Sequence, residues 1–233
     1  MKRSTLTTAA GVCGVLTALC FVGGAALMIW SGVDGLIPDT GQSAIDWIDD
    51  VNGANDAFFG GAWLVVAGGL FGLVALVGFW RPLRDAGEML ILAPTLAVAG
   101  MTLITLSHLL GIAMAYELVP GYVDGNRTTR DSLAVTTDTL VETARLLNYV
   151  GGVLVFGVVV ALYAWAVLKT KVLPRWIGWV GVVTAVFAGW LGAASPASRQ
   201  LEDATFIGLA AFFVWLAGMG IAILRRRPPK PAR

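Results

Sequence analysis

The sequence predicts an all-α membrane protein, a bundle of six transmembrane helices with both termini in the cytoplasm. Of its 233 residues, 57% are hydrophobic and only 13% are charged, whereas a typical soluble domain is about 45–50% apolar and about 25% charged. A helix needs about 20 consecutive apolar residues to cross the hydrocarbon core of a bilayer. Six stretches meet this requirement, at 9–30, 57–80, 89–116, 146–168, 176–194 and 204–224.

The charged residues are sorted completely away from these stretches. All 16 basic and 15 acidic residues lie in the connections and tails, and one charge at the centre of a membrane helix costs about 2.5–3.5 kcal/mol. Runs such as 153–162 are apolar on all sides, which favours helices over barrel strands, where apolar and polar residues alternate. We expect a single transmembrane domain over 1–233, ending in a disordered basic tail at 225–233.

The basic residues predict the orientation of the spans. With six spans, 12 of the 16 Lys and Arg residues fall on the side of the two termini, and 13 of the 15 acidic residues fall on the other side. Cytoplasmic connections carry an excess of Lys and Arg. The sequence therefore predicts that both termini are cytoplasmic and that the acidic connections face outward.

Composition also excludes several classes of protein. The net charge of +1 provides no electrostatic basis for nucleic-acid binding. One His and two Cys cannot form a site with several His or Cys ligands. No phosphate-binding glycine fingerprint follows a strand. We expect no cofactor, no metal site and no nucleic-acid partner.

The first outward connection, 31–56, contains six Asp and no basic residue. Its segment 44–51 has apolar residues at helical spacing, which predicts a short amphipathic helix on the outer surface with Asp46, Asp49 and Asp50 facing water. Clustered carboxylates suit a divalent cation, but the ligand spacing and turn glycine of a calcium loop are missing. The role of this acidic connection stays open.

The second outward connection, 117–145, is expected to begin with turns at 120–125. From Arg130 onward the pattern is helical, with Asp138, Glu142, Arg145 and Tyr149 on one face. The fourth helix is therefore expected to start well outside the membrane and to enter it near Leu146.

The glycines of the second span have two interpretations. Gly68 and Gly72 form a small-residue step, and Gly61 adds to it. Such steps allow membrane helices to approach closely. They indicate either a dimer face or ordinary packing within one bundle.

The candidate binding site is centred on His108, the only ionisable His, Asp, Glu, Lys or Arg residue within a predicted span. An ionisable residue in a membrane span marks a functional site by default. We expect an outward-facing polar pocket in which His108 anchors a ligand or acts as an acid or base, Glu142 and Arg145 form a charged rim, and Asn148 donates a hydrogen bond. The alternative is a neutral His108 bonded to a backbone carbonyl or to a neighbouring Thr.

The C-terminal half resembles a bacterial family of small six-helix integral membrane proteins of unknown function. A long fourth span is followed by a short basic turn with Leu173-Pro174-Arg175-Trp176-Ile177-Gly178, a fifth span rich in Gly and Val, and a sixth span ending in Arg225-Arg226. The resemblance implies the six-helix fold and assigns no catalytic residue.

These features predict an integral protein of the bacterial plasma membrane. It would bind a lipid or small amphiphile in an outward-opening pocket, or act as an accessory subunit of a membrane complex. The alternative is an intramembrane enzyme or a small-solute transporter that uses the polar site around His108. The expected partners are membrane lipids, another membrane protein or a second copy of the chain.

Overall fold

The computed structural model describes residues 5–33, 35–38, 42–54, 56–194 and 199–226. Within these residues every regular element is helical and there is no strand. Six helical segments of the described chain are long and apolar enough to cross a membrane: Thr5–Ser31, Asp56–Ala86, Glu88–Asp124, Arg127–Thr170, Arg175–Ala194 and Thr205–Arg225. The prediction of an all-α protein with six membrane-spanning helices is confirmed.

The described residues contain ten α-helices, and all of them except α2 contribute to these segments, joined in places by tighter or wider helical turns. They are α1 (Thr5–Ser31), α2 (Ala44–Gly53), α3 (Asp56–Leu83), α4 (Leu92–Ala113), α5 (Val119–Asp124), α6 (Arg127–Gly152), α7 (Val160–Thr170), α8 (Arg175–Thr184), α9 (Gly192–Ala194) and α10 (Arg199–Arg225). Short 3-10 turns at Arg84–Ala86 and Glu88–Ile91 join α3 to α4. π-Helical turns at Met114–Leu118, Val153–Val159 and Ala185–Leu191 follow α4, α6 and α8.

The chain forms two compact units. Unit 1 consists of Met1–Leu19, Gly68–Thr102 and Gly151–Arg233, and unit 2 consists of Cys20–Ala67 and Leu103–Val150. Each of the first four spans contributes residues to both units. The single transmembrane domain over 1–233 stays a prediction, and most of the expected disordered tail, 227–233, lies outside the described residues.

In unit 1, glycines bring helix backbones into direct contact. A Cβ atom added at Gly189 would overlap the backbone of Gly157, so the two π-helical turns Val153–Val159 and Ala185–Leu191 meet at these residues. A Cβ added at Gly220 would lie 2.5 Å from the carbonyl oxygen of Gly11, which joins α10 to α1. Helix contacts of this kind depend on small residues because lipid provides no hydrophobic drive between helices.

The core of unit 1 contains a cluster of aromatic rings. Trp215 is fully buried and its ring centroid lies 5.9 Å from that of Phe79 and 6.4 Å from that of Tyr163. The Tyr163 hydroxyl donates a hydrogen bond to the carbonyl oxygen of Leu76 at 2.5 Å, so α7 is bound to α3 by packing and by a polar contact. The rings bury large apolar area in favourable edge-to-face and stacked geometries.

In unit 2, the predicted amphipathic helix of the acidic connection is present as α2. Its apolar side, including Trp47, Ile48 and Val51, is buried in a cluster with residues of α1, α3, α4 and α6, whereas Ile45 remains 43% exposed. Asp46, Asp49 and Asp50 are exposed, as the spacing predicts. The apolar face of α2 thus packs on the unit's own core.

Residues 120–124 of the segment 120–125 are helical instead of forming the turns expected from its Pro and Gly content. Pro120 occupies the first turn of α5, where its missing N–H would have no partner within the helix. The helix α5 ends before Gly125. The side chain of Asn126 then accepts a hydrogen bond from the backbone N–H of Thr129 at 3.0 Å, as helix-capping residues do.

The fourth span begins at Arg127 and continues to Thr170, a length of 44 residues. This is about twice the length that a bilayer core requires, so the expected helical extension beyond the span is present. The fifth connection is shorter than predicted, because α10 already begins at Arg199 instead of near 204.

Within unit 2, α3 approaches α1 closely at Gly61 and Gly24. A Cβ at Gly61 would lie 2.6 Å from the carbonyl oxygen of Gly24, and a Cβ at Gly24 would lie 2.8 Å from that of Gly61. In unit 1, a Cβ at Gly72 would lie 2.8 Å from the side chain of Met101. Gly61 and Gly72 therefore support packing within the chain.

We predict that Gly61→Ala destabilises the protein, whereas Gly60→Ala does not. The added methyl group at residue 61 has no space, and overpacking of this kind costs about 1–3 kcal/mol. The nearest atom to a Cβ at Gly60 is a Leu27 methyl carbon at 3.9 Å, which is ordinary contact. Thermal unfolding in detergent measures the difference, and equal midpoints for the two variants would contradict the packing described here.

Candidate functional site

The predicted rim residues lie on α6. Glu142, Arg145 and Asn148 follow each other at intervals of three residues, so they form one stripe along the helix. Glu142 and Asn148 are exposed, whereas Arg145 is partly buried. On the other side of the helix, Val141 and Ala144 are buried. The amphipathic pattern read from the sequence therefore matches the structure in this region.

Arg145 binds a segment that is distant in sequence. Its Nε and Nη2 atoms donate hydrogen bonds to the carbonyl oxygen of Pro38, at 3.1 and 2.8 Å. Its Nη1 atom lies 2.6 Å from Oε1 of Glu142. The guanidinium group therefore joins α6 to the connection between α1 and α2, and Glu142 orients it for this contact.

We call residues 35–38 the outer strap, because they belong to the connection that the sequence predicts to face outward. Besides the Arg145 contact, the indole Nε1 of Trp47 donates a hydrogen bond to the carbonyl oxygen of Gly35 at 3.2 Å. The backbone of Leu36 lies directly against Gly111 of α4, where no Cβ atom would fit. Residues of α2, α4 and α6 thus hold the outer strap in place.

The outer strap lies close to His108 along α4. Gly111 follows His108 by three residues, and residues at this spacing are neighbours on a helix surface. The strap therefore covers the turn of α4 that follows His108 in the chain.

His108 has an unsatisfied polar atom. Its Nδ1 atom is buried and has no hydrogen-bond partner among the residues that the structure describes, although the residue as a whole is only half-buried. A helical His can donate to the carbonyl four residues before it, here that of Ile104. That oxygen accepts a hydrogen bond from the hydroxyl of Ser107 at 2.8 Å, and Nδ1 of His108 is not bonded to it.

The structure brings together part of the predicted site. Glu142 and Arg145 form an ion pair, and Asn148 lies next to them on α6. In the described residues Nδ1 of His108 is not bonded to any of these three side chains. The complete pocket of His108, Asn148, Glu142 and Arg145 stays a prediction.

An open groove runs along the exposed surface of α6. It is lined by Asp138, Thr139, Glu142, Thr143 and Leu146. All five residues belong to one helix, so the groove is a surface feature of α6. Within the described ranges, no group of three or more His, Cys, Asp or Glu side chains is arranged to hold a metal ion.

Two features of the site are missing from the sequence-based prediction. One is the outer strap with the carbonyl of Pro38, and the other is the bond from Ser107 to Ile104. Arg145 and Pro38 are 107 residues apart, and a backbone acceptor has no signature in sequence. The Ser107 hydroxyl, adjacent to His108 in a span, was the one available signal.

We predict that Arg145→Met releases the outer strap and that Glu142→Gln does not. The first variant leaves the carbonyl of Pro38 without its two charge-assisted hydrogen bonds, and bonds to charged groups contribute about 1.5–3 kcal/mol. The second removes only an exposed ion pair, worth about 0–1 kcal/mol. Hydrogen exchange at Leu36 and Ile37 measures the effect. Equal exchange in the two variants would show that Arg145 does not hold the strap.

Comparison with known proteins places the chain in a family. A family model described as a domain of unknown function, DUF4386, matches residues 9–220. No curated protein matches the chain, and no solved structure matches it. The matched region includes four of the six spans completely and most of the first and the sixth, and it agrees with the resemblance to a family of six-helix membrane proteins. The chain belongs to the DUF4386 family.

Proposed function

We propose that this protein resides in the bacterial plasma membrane and binds a lipid or small amphiphile, whose polar group forms a hydrogen bond with His108. The observation that carries the proposal is the buried Nδ1 atom of His108, which has no partner among the described residues. A buried polar group without a hydrogen bond costs about 1–3 kcal/mol in proteins, and lipid offers no water to satisfy it. A ligand that supplies the missing bond recovers this energy.

The exposure of His108 supports an amphiphile as the ligand. His108 as a whole residue is only half-buried in the apolar span, and there a ligand must bring both a hydrogen-bonding group and a hydrophobic body. A ligand reaches the buried Nδ1 atom only when the ring rotates about its Cβ–Cγ bond.

The outer strap supports an outward-facing position for the ligand. It lies one helical turn from His108, and the partly exposed pair of Arg145 and Glu142 holds its last carbonyl. The basic connections join the spans at the ends opposite the acidic connections. Their Lys and Arg content favours a cytoplasmic location for those ends. The His108 region is then closer to the outer leaflet, where Asn148 and Glu142 are available to the ligand's polar group.

The same observations favour binding over catalysis. Proton transfer requires a second titratable group in reach of the ring or of the ligand. Glu142, the acidic residue of the predicted site, is paired with Arg145 at 2.6 Å. An accessory role in a membrane complex would use the same unsatisfied atom, with a residue of the partner protein as its acceptor or donor.

We predict that His108→Phe abolishes retention of the bound lipid while leaving the ligand-free protein as stable as the wild type or more stable. Phenylalanine conserves the ring and removes the unsatisfied nitrogen, and replacing a buried polar group by an apolar one of the same shape is nearly neutral or stabilising. Mass spectrometry of the lipids that co-purify, with thermal unfolding after delipidation, measures both effects.

Leu109→Phe is the matched control, because Leu109 is the next residue of α4 and is 37% exposed. It should retain the wild-type lipid profile. If His108→Phe destabilises the delipidated protein, His108 has a structural partner. If the co-purified lipids are unchanged in His108→Phe, His108 is not the binding group. If a protein instead of a lipid is lost from the purified material, the accessory role replaces the proposal.

A further inference from the structure

One end of unit 1 collects basic side chains. Seven exposed Lys and Arg residues, against two acidic ones, lie in the connections and helix ends of this unit, an excess of five positive charges: Arg81, Arg84, Lys169, Lys171, Arg175, Arg225 and Arg226, with Asp85 and Glu88. Only the residues described by the structure are counted here.

Contacts within unit 1 place these residues at a common end. The ammonium group of Lys169 donates a hydrogen bond to the carbonyl oxygen of Ala86 at 2.7 Å, which joins the end of α7 to the turns between α3 and α4. A Cβ at Gly178 would lie 2.6 Å from the side chain of Leu168, so α8 begins against the end of α7. The ring of Trp176 lies in similar contact with Gly218, near the end of α10.

Lys169 is held at this basic end by two contacts. Its ammonium group lies over the ring of Trp165, 4.6 Å from the centroid. One of its three N–H groups donates the hydrogen bond to the carbonyl oxygen of Ala86. Its other N–H groups remain for an anion. The exposed indole rings of Trp165 and Trp176 are typical of residues at the headgroup level of a bilayer.

The acidic residues of this end do not neutralise it. Asp85 lies 3.7 Å from Nε of Arg84, and both side chains are largely exposed, so this pair contributes little. Glu88 is exposed as well. The remaining excess of positive charge lies near the exposed tryptophans, which are typical of the headgroup level of a bilayer. The anions available at that level are lipid phosphates.

We propose that the basic end of unit 1 binds the headgroup of an anionic phospholipid, with Lys169 contacting the phosphate from its position between Ala86 and Trp165. The site uses residues of unit 1 only and does not depend on the amphiphile site at His108. Each basic residue near an anionic bilayer surface contributes about 1 kcal/mol, which corresponds to about a fivefold change in affinity.

The test is a titration of the detergent-solubilised full chain with phosphatidylglycerol or phosphatidylcholine, followed by native mass spectrometry. We expect phosphatidylglycerol to bind more tightly than phosphatidylcholine. Lys169→Gln should weaken phosphatidylglycerol binding about fivefold without affecting phosphatidylcholine, and Lys169→Arg, which keeps the charge, should restore most of the affinity. Thermal unfolding without added lipid verifies that the variants are folded.

Two control variants separate a positioned lysine from diffuse attraction. Lys171→Gln removes the same charge two residues away and should weaken binding less than Lys169→Gln does. Arg127→Gln removes an exposed charge from unit 2 and should weaken binding less than twofold. Wild-type affinity in folded Lys169→Gln, or an equal loss in Arg127→Gln, would overturn the proposal. His108→Phe should bind phosphatidylglycerol like the wild type, so failure of this site is distinguishable from failure of the amphiphile site.

Discussion

The structure depends on the absence of water from the hydrocarbon core of the membrane. A peptide group in that environment must form its hydrogen bonds within the protein, and a helix satisfies them without help from neighbours. This requirement explains why the described chain consists of helices and why charged residues lie outside the predicted spans. It also makes each polar side chain in a span informative. Ser107, Thr17, Thr184 and Tyr163 all donate to backbone carbonyls, whereas Nδ1 of His108 does not.

Close helix packing follows from the same condition. Because apolar side chains gain little by leaving lipid for protein, helices associate through tight backbone contacts and van der Waals packing. Glycine pairs such as Gly61 with Gly24, and Gly157 with Gly189, allow these contacts. The π-helical turns at the second pair widen the helix locally while keeping its backbone hydrogen-bonded. Glycine, a poor helix former in water, is therefore an advantage in these spans.

Much of the fold could be predicted from sequence because its determinants are local. Span length, charge sorting and the apolar face of α2 depend on residues within one segment, and the structure agrees with each of them. The helix at Val119–Asp124 was missed because Pro120 and Gly121 resemble turn residues, although proline is well tolerated in a first helical turn. The start of α10 at Arg199 was missed because the first residues of this helix are mostly polar. The apolar pattern therefore begins several residues after the helix itself begins.

The candidate site was harder to predict because its contacts are not local. Glu142 and Arg145 could be placed on one face of α6 from their spacing. His108 could be identified because no other His, Asp, Glu, Lys or Arg residue lies within a predicted span. The bond from Arg145 to the carbonyl of Pro38 joins residues 107 positions apart, and the approach of Leu36 to Gly111 depends on how the outer strap crosses α4. No pattern of side chains specifies such backbone contacts, so the relation of the strap to His108 emerged only from the structure.

The sequence predicts that six helices cross the membrane with the basic connections in the cytoplasm and the acidic connection 31–56 outside. Accessibility of single cysteines to a membrane-impermeant maleimide tests it most directly, after replacement of the native Cys13 and Cys20 by alanine. The account predicts that Asp46→Cys on α2 reacts in intact cells, whereas Lys171→Cys reacts only after the membrane has been opened. Reaction of both cysteines from the same side of the membrane, or of Lys171→Cys alone in intact cells, would contradict it.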